Sequence, residues 1–230
     1  MRLNRSLFNN NKLLIFLLAA LLFFSVLLGV RFFLGRNILE KNDLYLADLK
    51  RIYNPEASIN SADLNQSILK QTDPFIGDKQ AKNIIVLFSD FQCPYCAETA
   101  LTARELLSKH SNQILLIWKD LPNPLHPEAA VAALAARCAS QQNKFWQYHD
   151  ELFASQASLA GSLYPQIAQK IGLDTTLFQQ CLDNQEQADL VEDSFNLGLS
   201  LGVDATPYLF VNGQRLSGSV SLEQIESLLK

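Results

Sequence analysis

The chain has 230 residues, enough for one domain with an insertion or for two small ones. Its formal charge of −4 is unevenly spread: residues 1–36 carry five basic residues and no acid, leaving 14 basic against 23 acidic residues, net −9, in the rest. An acidic body excludes a nucleic-acid binder, which needs a basic face, and four cysteines in this length exclude a disulfide-dense scaffold.

Leu13–Val30 runs for eighteen residues without a charge, the length that spans a bilayer. No convincing small-x-small cleavage site follows it, so residues 1–36 read as a basic tail plus an uncleaved membrane anchor, a cleaved signal peptide being the other reading. The short basic tail suits the cytosolic side, which puts the rest of the chain outside. Residues 37–72 read as a polar linker. Within it Ile38, Leu44, Leu49 and Ile52 recur at roughly helical spacing, so a helix over 39–53 is expected, ended by Asn54-Pro55. That helix serves as a spacer or pairs with a copy of itself in a homo-oligomer.

Ile84–Phe88 is a short apolar run and reads as a buried strand. Cys93-Pro94-Tyr95-Cys96 follows, opening a helical pattern with Cys96, Ala100, Ala103 and Leu107 on one face. Cys93 falls at the N-cap and Pro94 at the first helical position, where its missing N–H costs nothing. Free N–H groups and the helix dipole there stabilise an anion, so a Cys93 thiolate is favoured, and the thiolate is the nucleophile. Cys96 lies on the same side and can close a disulfide with it. A zinc site needs a second Cys/His pair at short spacing. Cys138 and Cys181 stand alone and His110, His126 and His149 are scattered, so the pair reads as redox-active and no metal is expected.

Gln113–Trp118 reads as a second buried strand; two such strands flanking a helix imply a parallel βαβ unit. Pro122, Pro124 and Pro127 mark a loop, with His126-Pro127 helping to start a helix. Helices are then expected over Ala129–Ser140, Lys144–Ala154, 162–171, 174–183 and 186–201, the last stopped by Gly202. Phe145, Trp146, Tyr148 and Phe153 read as core, and His149 as part of an amphipathic face. Tyr208–Val211, Asn212-Gly213 and Gln214–Leu216 form a hairpin, and Ser221-Leu222-Glu223-Gln224 is a capping box for a last helix.

Three runs, FSDFQCPYC (Phe88–Cys96), HPEAAVAALAARCASQQNKFWQYHDELF (His126–Phe153) and TPYLFVNGQ (Thr206–Gln214), resemble the DsbA-like thiol-disulfide oxidoreductases. The resemblance covers residues 73–230. It implies an α/β, thioredoxin-like fold with an inserted all-helical subdomain over about 124–202, here preceded by an N-terminal transmembrane helix. It also implies a cis Thr206-Pro207 bond whose loop faces the Cys-x-x-Cys and binds substrate. Pro94 and Tyr95 would tune Cys93. The family often has an acid six residues before the first cysteine; Leu87 stands there, and the nearer Asp90 and Glu98 read as surface residues. Cys138, on a stripe with Val131 and Leu134, and Cys181, with Leu177 and Phe178, face the core of the helical block. They suggest a structural disulfide, buried free cysteines being the other reading.

The function expected is extracytoplasmic disulfide exchange with proteins through Cys93 and Cys96, as a membrane-anchored dithiol oxidase with no cofactor beyond its own disulfide. Its partners would be unfolded, cysteine-containing periplasmic or exported proteins and a membrane or periplasmic redox protein. A DsbG-like reductase/isomerase and a Cys-x-x-Cys copper-binding module are the alternatives.

Overall fold

The computed structural model describes residues 70–230. The expected membrane anchor and the 39–53 helix lie outside them. Among the described residues no helix is long and apolar enough to cross a membrane.

The two apolar runs become the centre of one five-stranded sheet. β2 (Asn83–Ser89) and β3 (Ile114–Asp120) are adjacent and parallel, with Leu87 opposite Trp118 and Ser89 opposite Asp120. Strands buried on both faces carry continuous apolar residues rather than alternating ones, and every residue of β3 is buried. The crossover between them is α1 (Pro94–Lys109). β4 (Tyr208–Val211) runs antiparallel to β2, and β5 (Gln214–Ser217) antiparallel to β4. Their turn has positive φ at both Asn212 (51°) and Gly213 (87°), as a type I′ hairpin requires. A further strand, β1 (Phe75–Gly77), pairs antiparallel with the outer edge of β3, giving the order β1-β3-β2-β4-β5. Three residues at an edge, with Phe75 exposed, leave too little pattern for β1 to be expected from sequence.

Between β3 and β4 lie α2 (Ala129–Ser140), α3 (Phe145–Ala154), α4 (Leu163–Lys170), α5 (Thr175–Asp183) and α6 (Ala188–Ser200). Asp174 caps α5 by accepting from Thr176 N and Leu177 N. The last helix, α7 (Leu222–Glu226), opens on Ser221 in a complete capping box.

The sheet buries both faces. Ile85, Leu87, Leu116, Trp118 and Leu209 share one apolar cluster with Ala103 and Leu106 of α1, Ile225 of α7 and the helical block. Val86, Phe88, Ile117 and Phe210 form a second, against which Phe195 and Leu197 of α6 pack. Gly198 lets α6 lie close to this face: a Cβ there would stand 2.7 Å from Leu121 Cδ1 and 3.3 Å from the Phe88 ring.

Three sequence assignments shift. The buried face of α1 is Cys96, Thr99, Ala103 and Leu106, with Ala100 and Leu107 only half-buried at its margin. α2 is buried almost all round, with Val131 on its exposed side, and Leu177 is likewise exposed beside buried Phe178. His149 is not on an amphipathic face. It sits inside a ring cluster with Phe91 (5.7 Å), Trp118 (4.9 Å), Trp146 (5.0 Å) and Phe153 (4.9 Å).

Candidate active site

β2 ends at Ser89, and four residues, Asp90 to Cys93, carry the chain to α1. Asp90 shapes this turn. Its Oδ1 accepts from Gln92 N (2.7 Å) and its carbonyl accepts from Cys93 N (3.2 Å). Cys93 is the N-cap in extended conformation, and Pro94 begins the helix. The Cys93 carbonyl accepts from Cys96 N (3.0 Å) and Ala97 N (3.3 Å), closing the first turn. Both Cys93 and Cys96 are free thiols. Cys93 is 5% exposed and Cys96 0%, so an incoming group meets Cys93 first. The Tyr95 ring is 58% exposed beside it.

The Thr206-Pro207 bond is cis. Because Tyr208 pairs with Phe88, the loop before β4 lies over the end of β2 and hence over the dithiol. The Cys93 thiol donates to the Thr206 carbonyl at 3.4 Å. The structure thus brings Cys93, Cys96, Thr206 and Pro207 together. Separately from them, Cys138 on α2 and Cys181 on α5 form a disulfide with S–S 2.04 Å.

The two thiols are driven apart electrostatically. The Cys93 pKa is lowered to about 6. The main cause is donation from the Cys96 thiol, helped by the backbone N–H groups of Cys96 and Tyr95 and the Thr206 side chain, against a burial that raises it. The helix-terminus N–H groups therefore assist, while the neighbouring thiol leads. Burial pushes Cys96 far up, with Cys93 adding to the rise. Ser89 and the Asp90 N–H oppose this; the latter donates to Cys96 Sγ at 3.4 Å.

Asp90 is not at the surface. It is 2% exposed, with Oδ2 accepting from Asn123 N (3.0 Å) and facing His126 Nδ1 at 2.6 Å. His126 therefore ties the 122–126 loop to the turn before Cys93, and α2 starts only at Ala129. Glu98 is exposed, as expected, and Leu87 is packed in the core. Two more helical-block contacts hold the same turn. Gln156 Nε2 donates to the carbonyls of Phe91 (2.8 Å) and Cys93 (3.0 Å), and Gln92 Oε1 accepts from Glu128 N (2.7 Å). Sequence reading missed these contacts because each partner lies dozens of positions away. The one local sign was Asp90 two residues before Gln92, which suits an Asx turn.

A shallow pocket of 180 Å³ lined by Leu121, Pro122, Phe195, Leu199 and Thr206 adjoins the cis-proline loop. Among the described residues no group of three or more His, Cys, Asp or Glu side chains could hold a metal ion.

A family model described as thioredoxin (Thioredoxin_4) matches residues 69–230. The fold resembles the thiol-disulfide exchange protein alpha-DsbA2 of Wolbachia pipientis, with TM-score 0.66 and 22% identity over 72% of this chain and 90% of that one. It also resembles a thioredoxin-like oxidoreductase of Silicibacter pomeroyi DSS-3, with TM-score 0.62 and 26% identity over 69% and 91%. In sequence it is 36% identical over 167 residues to a Na(+)/H(+) antiporter NhaA 1 of Salinispora arenicola, a match spanning 72% of this chain and 25% of that protein. The chain thus spans about a quarter of the length of the curated relatives it matches.

Proposed function

The chain belongs to the thioredoxin family, and on that premise we propose a DsbA-like thiol-disulfide oxidoreductase that exchanges disulfides with protein clients through Cys93 and Cys96, working as a dithiol oxidase. The observation that carries this reading is the asymmetry of the pair. Cys93 is the accessible thiol with its pKa lowered to about 6, and it faces the Thr206 carbonyl, while Cys96 is sealed beneath it. A thiolate that is easily formed and easily expelled makes the dithiol form stable and the disulfide a strong oxidant.

In the oxidase direction a client thiolate attacks Cys93 Sγ. The client–Cys93 bond forms, the Cys93–Cys96 bond breaks, and the electron pair leaves on Cys96. The client's second thiolate then attacks its own bonded sulfur, forming the client disulfide and releasing Cys93 as thiolate. The backbone beside Thr206 suits an extended client segment by strand addition, which recognises main chain rather than sequence. Pro94 and Tyr95 form the exposed rim at Cys93, and the pocket beside Thr206 offers apolar contact.

The proposed setting is extracytoplasmic, with residues 1–36 as anchor, 37–72 as linker and 73–230 as the catalytic domain. The Cys138–Cys181 disulfide supports this, since structural disulfides persist in oxidising compartments. The partners would be cysteine-containing exported proteins and a redox protein that re-oxidises the dithiol. The antiporter name belongs to proteins of which this chain spans a quarter, and no transport is assigned to it on that ground.

Thr206 before the cis-proline favours a second reading, a DsbG-like reductase/isomerase, in which the Cys93 thiolate attacks a client disulfide. Thiol alkylation in the cell separates the two. A pair found mostly oxidised supports the oxidase, and one found mostly reduced overturns it. In a Cys96→Ala variant, mixed disulfides with client proteins should accumulate at Cys93. If none form under either redox condition, disulfide exchange itself is wrong.

A further inference from the structure

Clients never reach Cys96, yet its sulfur must become an anion whenever exchange proceeds. It leaves as a thiolate when an incoming thiolate opens the Cys93–Cys96 disulfide. It must be a thiolate again to attack a Cys93 mixed disulfide and close the pair. The site is 0% exposed, and burial in apolar surroundings works strongly against that charge. Position 87, six residues before Cys93, holds a core leucine that supplies no acid. The help must come from elsewhere.

Two groups of the β2–α1 junction stand at this sulfur. One is the Asp90 N–H, 3.4 Å from Cys96 Sγ. The other is the hydroxyl of Ser89, the residue directly before Asp90, which is buried beside it with a free Oγ and acts to favour the Cys96 thiolate. Ser89 is 2% exposed, and its Oγ is the single buried side-chain polar atom among the described residues that has no hydrogen-bond partner. Buried hydroxyls are normally satisfied, so an orphan calls for a reason. A neutral thiol is a weak acceptor and a thiolate a strong one. The missing bond is therefore made when the sulfur carries charge and is lost when it does not. The Asp90 carboxylate cannot fill this place, being engaged with Gln92, Asn123 and His126.

Resting on the oxidoreductase reading above, we propose that Ser89 is a catalytic residue: its hydroxyl and the Asp90 N–H form a two-donor cradle for the Cys96 thiolate during disulfide exchange. In the opening step a thiolate R–S⁻ attacks Cys93 Sγ. The R–S–Cys93 bond forms, the Cys93–Cys96 bond breaks, and the electron pair settles on Cys96 Sγ between the two donors. Cys96 then takes a proton from water. The closing step runs the same path backwards and releases R–S⁻. Stable forms on either side hold Cys96 as a disulfide or a neutral thiol. The hydroxyl thus lowers the barrier in both directions and leaves the equilibrium alone.

Rapid-quench measurements on the full chain test this, with glutathione reducing the oxidised protein and glutathione disulfide oxidising the reduced one. In Ser89→Ala, opening of the disulfide and the second, closing phase of oxidation should both slow about tenfold, the low end expected for one charge-assisted hydrogen bond. The redox midpoint against glutathione and the pH midpoint of Cys93 alkylation should not move. Ser89→Thr, which keeps the hydroxyl, should recover most of the rate. Wild-type rates in Ser89→Ala overturn the proposal. So does a slowing accompanied by a shifted redox midpoint and a lower melting temperature, which marks a packing role. A wild-type protein that exchanges no disulfide with glutathione would instead overturn the oxidoreductase reading.

Discussion

Cys93 and Cys96 are three residues apart and titrate in opposite directions because Cys93 accepts from the Cys96 thiol, with the helix-terminus N–H groups assisting, while Cys96 is sealed in the core. The lowered value of Cys93 has a signed consequence. A depressed acid group stabilises the dithiol form above the thiol's ordinary pKa, and that stability is lost as pH falls through about 6. The advantage in melting temperature of the reduced over the oxidised protein should therefore shrink between pH 8 and pH 5. Alkylation of reduced protein by iodoacetamide should show its midpoint at about 6. Cys96→Ala removes the largest cause of the shift, so its midpoint should move up toward the ordinary thiol range. A midpoint unchanged by that substitution would return the leading role to the helix terminus.

At the scale of elements, the helical block is held together and held to the sheet by different means. Within the block, the Cys138–Cys181 bond joins α2 to α5 across a sequence separation of 43. In the loop-entropy account a cross-link of that span stabilises by about 4 kcal/mol. The double variant Cys138→Ala/Cys181→Ala should lose a large part of this in urea denaturation, with the Cys93 alkylation midpoint unchanged because neither residue is among the groups that shift it. Between the block and the sheet the tie is the charged pair Arg137–Asp120. Arg137 of α2 bonds Asp120 of β3 (2.6 Å), the Thr72 carbonyl (3.0 Å) and, within the block, Ser194 (3.1 Å); next to Asp120 on β3, Lys119 bonds Asp73 ahead of β1 (2.5 Å), and all four charged side chains are buried. Burial lowers the Lys119 pKa and the Asp73 charge opposes that, so the lysine depends on its partner. Breaking such a pair costs far more than its formation contributes, since a lone buried charge remains.

Over the whole molecule, the block and the thioredoxin core meet around Phe91, two residues before Cys93. Phe91 stacks on Trp118 at 4.8 Å and meets His149 of α3 edge-on. Besides the rings, His149 faces the Asp150 carboxylate, itself paired with Arg104 of α1 at 2.8 Å. Burial lowers the His149 pKa, with Asp150 opposing. The unfolded chain takes up this proton near pH ~6.5 and the folded one does so only at lower pH, so stability is full above that value and lost as pH falls below it. Melting of the oxidised protein, in which the dithiol does not titrate, should drop from pH 7.5 to pH 5. His149→Gln should flatten that drop. An equally steep drop in the variant would assign it to other groups.

Sequence alone determined the apolar strands Ile84–Phe88 and Gln113–Trp118, the N-cap placement of Cys93, the Asn212-Gly213 turn and the capping box at Ser221, because each is written in neighbouring residues. Periodicity, propensity and capping act within one or two turns of chain, so they are legible without a fold. The meeting of Thr206 with Cys93, the burial of Asp90 against His126, the pairing of Cys138 with Cys181 and the orphan hydroxyl of Ser89 are long-range or depend on what is packed above them. The resemblance pointed to the loop at Thr206, but only the register of β4 on β2 brings it over the thiols. Burial decided the rest: the same Asp90 would be an ordinary surface carboxylate on a bare turn, and becomes a structural pin because the helical block closes over it. The opposite charge preferences of two cysteines three residues apart were likewise decided in three dimensions: burial raises both thiols, and only Cys93 gains donors, the Cys96 thiol first among them, that outweigh it.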